Sequence, residues 1–169
     1  KEIEKRLAIT PEIIKKYLDL GFNLFLPNNY GSHLGFDDKD YKSLGVNFLD
    51  SEKEIVDNAD IIIQLGIPEE KKLSLLKENQ TLIGSLDFFS NEEKLVSLKS
   101  KKINCFSLDL LPRITRAQSM DILSSQANLA GYKAVIEAFK SYERAIPMMM
   151  TAAGTIPAAK VLVVGAGVA

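Results

Sequence analysis

The sequence predicts an α/β protein: a three-layer parallel-sheet domain, a long connecting helix, and the first strand of a second sheet domain. Three observations carry that expectation. Up to about residue 105, short apolar runs alternate with amphipathic segments, the pattern of strands joined by covering helices. From residue 118 to 142, apolar and small residues recur every three and four positions, as on one face of a long helix. Near the end, the apolar run Val161, Leu162, Val163, Val164 leads into Gly165, Ala166, Gly167, as a dinucleotide-binding strand and turn begin. The expected layout is therefore a Rossmann-like or flavodoxin-like α/β domain over residues 1–117, a connecting helix over 118–143 and the start of a Rossmann domain over 144–169.

Each element has a local reason. Residues 3–9 read as a strand. Thr10 then supplies an N-cap and Pro11 a first helical position, with Ile13, Ile14, Tyr17 and Leu18 on one face before Gly21 ends the helix. Residues 22–26 read as the next strand, and 27–35, rich in Asn and Gly, as a loop. Asp37 caps a helix through Tyr41 and Leu44 that closes at Gly45 before a strand over 46–49. Ser51 and Glu54 form a capping box. Residues 61–65 suit a strand covered on both faces. Pro68 opens a helix through Leu73 and Leu76, 81–86 is a strand, Asn91 caps a helix through Leu95 and Leu98, and 103–106 is a further strand. The long helix carries a small face at Ala127, Ala130, Gly131 and Ala134, which admits a close neighbour. Pro147 ends it, and residues 148–155 read as a junction before a strand over 160–164.

Composition narrows the function. The 169 residues include 21 basic and 22 acidic side chains, a net charge of −1, which offers no basic field for nucleic acid or an anionic membrane surface. One cysteine, Cys105, precludes an internal disulfide and any multi-cysteine metal site, and no metal is expected. The longest apolar runs fall well short of the ~20 residues of a spanning helix, and the first residues lack signal-peptide character, so a reduced, soluble compartment is expected. The chain has no initiator Met and stops at Ala169 where a helix should start; the expectation is a fragment of a longer protein.

The densest chemistry lies between Arg113 and Tyr132. Arg113, Arg116, Gln118, Asp121, Ser124, Ser125, Gln126 and Asn128 crowd the first turns of a helix, where buried polar groups need water, backbone or a polar ligand. Two readings stand. The segment is a solvated helix start, with Asp121 near the positive dipole end and the serines bonded back to carbonyls, or it is a surface that hydrogen-bonds the amide and ribose of a nicotinamide. The second fits better because the polar residues extend through Gln126 and Asn128, into turns where the apolar stripe is already established; the Gly165, Gly167 turn is too short to decide alone. Its first glycine makes the turn and its second lets backbone approach a pyrophosphate, while the third glycine and the ribose-binding acid lie past Ala169. His33, the single histidine, reads as a surface loop residue; Cys105 reads as inert core.

The run from Pro112 to Tyr132, with its Arg-Ala-Gln-Ser-Met-Asp block at 116–121, resembles the soluble NAD(H)-binding domain I of the proton-translocating NAD(P) transhydrogenase family, the alpha subunit in bacteria. Residues 148–155 followed by 160–169 are similar to the next part of that family, and Glu4, Arg6, Ala8, Thr10 and Pro11 resemble its N-terminal motif. The loop 29–33 departs from the family's glycine- and alanine-rich loop. The resemblance implies NAD(H) held at its nicotinamide end by Arg113, Ile114, Gln118, Asp121 and Ser124, with Gln118 and Asp121 aligning the ring, and at its pyrophosphate by Gly165, Gly167 and Val168. It implies direct hydride transfer to NADP(H) on a partner domain, with no general base. It further implies a membrane-embedded proton-channel domain as partner, a homodimer, and a place on the cytoplasmic face of the bacterial inner membrane.

Alanine dehydrogenase is the close relative and competing reading; a non-catalytic scaffold or dimerisation fragment is another. The dehydrogenase's pyruvate site uses a lysine in a Lys-Val-Lys-Glu-Pro stretch and a histidine in a later strand. The matching stretches here, Gln64 to Pro68 and Ser85 to Asp87, contain neither, which favours transhydrogenase. Residues 1–169 alone are expected to bind NADH weakly or not at all; calorimetric binding in the low micromolar range would overturn this.

Overall fold

In a computed structural model of the chain, residues 4–169 are described. They form two compact units, one ending at Leu111 and the other spanning Pro112–Ala169.

The first unit is α/β with parallel sheets, as the alternating pattern requires. Helix α1 (Pro11–Asp19) leads to β1 (Phe25–Pro27), and α2 (Asp38–Ser43) crosses to β2 (Asn47–Leu49), which pairs with β1 in parallel. After α3 (Glu52–Asn58), strands β3 (Ile61–Gln64), β4 (Thr81–Gly84) and β5 (Asn104–Ser107) form a second parallel ladder in that order, with α4 (Glu70–Leu75) and α5 (Glu92–Ser100) as crossovers. Ile62, Leu82 and Cys105 lie side by side across it.

Two apolar clusters hold this unit. Leu82, fully buried on the central strand, packs in one with Val56, Leu73, Leu76, Leu86, Leu98 and Ile103 from the surrounding helices and strand ends. Tyr41 anchors the other beside Ile9, Ile14, Leu26 and Val46, its ring meeting Tyr30, Phe36 and Phe48 edge-on at centroid distances of 6.0, 6.4 and 6.3 Å. Edge-on pairs add to the area buried because the positive ring edge faces the negative ring face.

Polar groups tie the crossovers to the sheet. The Ser51 hydroxyl accepts from the Glu54 N–H at 3.1 Å, the expected cap of α3. Gln80, buried just before β4, donates from its amide nitrogen to the Val56 and Ala59 carbonyls at 2.7 and 2.6 Å and accepts from the Lys77 N–H at 2.7 Å. One side chain thus closes the ends of α3 and the turn after α4. Lys101 donates from Nζ to the carbonyls of Leu73 and Ser74, at 2.6 and 2.9 Å, satisfying the free end of α4.

Several elements differ from expectation. The strand expected over 3–9 does not form within 4–9, and Ile3 lies outside the described residues. The reason lies in a residue distant in sequence: the Ala8 and Ile9 N–H groups donate to the Tyr30 hydroxyl, at 2.9 and 3.1 Å, instead of to a neighbouring strand. Strand β3 is not covered on both faces, because Ile61 and Ile63 are exposed. The long helix is split. Residues Thr115–Met120 form a 3-10 turn, and the α-helix proper, α6, runs over Ile122–Ser141. The junction at 148–155 is a hairpin of β6 (Met149–Thr151) and β7 (Gly154–Ile156). Thr151 builds its turn by donating from Oγ1 to the Gly154 carbonyl and accepting from the Ala153 N–H, and Gly154 takes φ +131°, a glycine conformation. Residues 160–164 are irregular rather than a strand. Val161 to Val164 are strongly exposed, and no strand among the described residues pairs with them.

Replacing Gln80 with Leu leaves two carbonyls and one N–H without their partner in a largely closed site. The variant should lose about 2–3 kcal/mol of stability, read as a lower urea midpoint with an unchanged slope.

Candidate functional site

All eight residues expected to bind cofactor lie in the second unit. Arg113 and Ile114 are both exposed; the Ile114 N–H donates to the Pro112 carbonyl at 3.0 Å around Arg113, Ile114 is extended, and the Ala117 N–H returns to the Ile114 carbonyl at 2.9 Å to start the 3-10 turn. Gln118 is exposed within that turn, and its own carbonyl accepts from the Asp121 N–H at 3.2 Å. Successive side chains on a 3-10 turn stand roughly a third of a revolution apart and residues three apart eclipse, so Arg116 and Ser119 share one face of the turn while Gln118 lies on another.

Asp121 ends this turn and begins α6. Its φ of −75° and ψ of 88° are non-helical, as an N-cap requires. One carboxylate oxygen accepts from the Ser124 N–H at 2.9 Å and the other from the Ser124 hydroxyl at 2.6 Å. Both oxygens are thereby fixed by one residue, and the serine hydroxyl, its proton committed, turns lone pairs outward as acceptors. The Ser124 hydroxyl, then its N–H, hold the Asp121 carboxyl below its usual value against the opposing effect of desolvation, with a smaller contribution from the positive charge of Arg113. The solvated-helix reading put Asp121 near the positive end of the helix dipole, and the cap position agrees with it; of the two serines it bonded back to carbonyls, Ser125 does so, to Ile122 at 3.0 Å, while Ser124 bonds to the Asp121 carboxylate.

Gly165, Gly167 and Val168 lie in the irregular stretch that follows the hairpin. Gly165 is left-handed, at φ +98°, and a Cβ at Gly165 or Gly167 would meet open space. This backbone is exposed, and residues 165–169 form no helix whose N-terminus could face an anion. On the small face of α6, a Cβ at Gly131 would run into the backbone of Ala169, which belongs to neither a helix nor a sheet. Asp121 and Ser124 are joined directly, Arg113 acts on them through charge, and the glycine stretch reaches α6 at Gly131 rather than at its cap.

Other candidates fall into place in the first unit. His33 is exposed, its Nε2 2.7 Å from the Lys5 carbonyl. Cys105 is half-buried on β5, and burial pushes its thiol up, so it stays protonated and unreactive. At the carboxyl end of β3, Gln64 donates from Nε2 to the Gly66 carbonyl at 3.4 Å. After β4, the Leu86 N–H donates to Asp109 at 3.0 Å. Sequence reasoning missed Tyr30, whose hydroxyl anchors the segment carrying Arg6. Arg6 itself donates to Glu4 at 2.9 and 2.6 Å, and that bond holds the Glu4 carboxyl down to about 2. An aromatic residue in a turn-rich loop is the only signal that pointed to Tyr30.

A parallel α/β unit followed by a capped helix and a left-handed glycine turn defines a two-part α/β protein. The family model "Alanine dehydrogenase/PNT, N-terminal domain" matches residues 1–130, and "Alanine dehydrogenase/PNT, C-terminal domain" matches 134–169. The chain belongs to the alanine dehydrogenase/PNT family. It is 42% identical over 171 residues to the first part of NAD(P) transhydrogenase subunit alpha of Rhodospirillum rubrum, covering 98% of this chain and 44% of that protein. The crystal structure of transhydrogenase from Sinorhizobium meliloti superposes with a TM-score of 0.91 at 40% identity, over 99% of this chain and 51% of that one. An L-alanine dehydrogenase shares the fold, with a TM-score of 0.68 at 21% identity over 78% of this chain and 36% of that one. The chain thus spans about half the length of the transhydrogenases it matches. Among the described residues, no helix is long and apolar enough to cross a membrane.

The Asp121 cap has an acid signature. A carboxylate held below its usual value contributes stability above the ordinary carboxylate range and loses it as pH falls through the lowered value. Asp121→Asn, an equally good cap without a titrating group, should flatten that part of the acid limb while leaving neutral-pH helicity intact. Circular dichroism of both proteins from pH 6 down to about 2 reads the difference; identical acid limbs would remove Asp121 from it.

Proposed function

We propose that this chain is the NAD(H)-binding part of a proton-translocating transhydrogenase, passing hydride directly between NADH and NADP bound on a partner domain. The observation that carries the reading is the arrangement from Arg113 to Ser124: a guanidinium, an exposed amide and a fixed Asp–Ser pair around the start of α6. The level of identity with the transhydrogenases, against 21% with the dehydrogenase structure, supports the same choice.

The donor set suits a nicotinamide nucleotide. Ser124 accepts from a ribose hydroxyl or carboxamide N–H, Asp121 holds Ser124 in place, and Arg113 and Gln118 align the amide end together with the Ile114 backbone. Gly165 and Gly167 bring bare backbone to the pyrophosphate, with Val168 beside them. The dinucleotide supplies the transferable hydride. The protein aligns two rings and keeps them together, so positioning rather than acid–base chemistry is its contribution.

The remaining parts of the proposal are NADP(H) on a partner domain, a membrane-embedded proton-channel partner, a homodimer and a position on the cytoplasmic face of the bacterial inner membrane. The division into an α/β domain over 1–117, a connecting helix over 118–143 and a nucleotide domain beginning at 144 belongs to it too. Helix α6 supports an association role: it buries no side chain and exposes Leu129, Tyr132, Val135 and Phe139.

The test uses the full-length chain with a separately expressed NADP-binding partner. NADH-dependent reduction of an NADP analogue is expected; NADH oxidation that depends on pyruvate and ammonia would instead identify an alanine dehydrogenase. Gln118→Asn should slow hydride transfer about 10- to 100-fold while NADH affinity stays nearly constant, because a shortened side chain misaligns the ring without removing a binding group. Unchanged turnover would exclude Gln118 from the site.

A further inference from the structure

We draw no further inference here: the strongest candidate, the apolar groove between α5 and β5 walled by Phe88, Phe89, Leu95, Val96 and Cys105, carries nothing because nothing in the structure shows what covers it.

Discussion

The arrangement of the second unit depends on where α6 begins, and one carboxylate decides that. Asp121 satisfies an N–H that the first helical turn leaves without an intrahelical partner, and the same side chain orders the Ser124 hydroxyl. The cap leaves Gln118 outside the helix, in a separate 3-10 turn whose last bond runs from the Asp121 N–H to the Gln118 carbonyl.

The first unit solves a different problem, that of joining short parallel strands. Its strands run three or four residues, and each crossover must return the chain to the same edge. Apolar burial around Leu82 supplies the driving force, but it is non-directional. Direction comes from polar groups such as Gln80, whose three bonds fix the end of α3 against the turn before β4, and Lys101, whose ammonium closes the last carbonyls of α4. Tyr30 does the same for residues 8 and 9, at the expense of the strand they would otherwise have made.

The elements legible in the sequence were those with a start signal and a period. The Thr10–Pro11 start of α1, the Ser51 cap of α3 and the β-rich runs that became β3, β4 and β5 each followed from neighbours within four or five positions. What escaped depended on distant partners. Nothing near residues 3–9 reveals that a tyrosine more than twenty positions away takes their N–H groups, and Ile61 and Ile63 look the same in sequence whether or not something covers them. The apolar run at 161–164 has strand composition but no paired neighbour, and composition alone does not make a ladder. The hairpin at 149–156 lacked an Asn-Gly signal because a threonine side chain builds its turn. The role of Asp121 as a cap escaped because the apolar period gives no sign that the stretch from Gln118 to Met120 is a 3-10 turn outside the helix.

Helix α6 has a kinetic side as well. Since none of its side chains is buried within its own unit, its formation rests on local sources: the cap, the alanine content, and the Lys133–Glu137 pair one turn apart at 2.8 Å. Contacts of such short range close quickly, and a helix of this length relaxes in about 0.1–1 μs. The parallel ladders must wait for whole crossovers to be traversed before their strands meet. The helix thus forms from contacts within its own sequence, on a shorter timescale than the ladders.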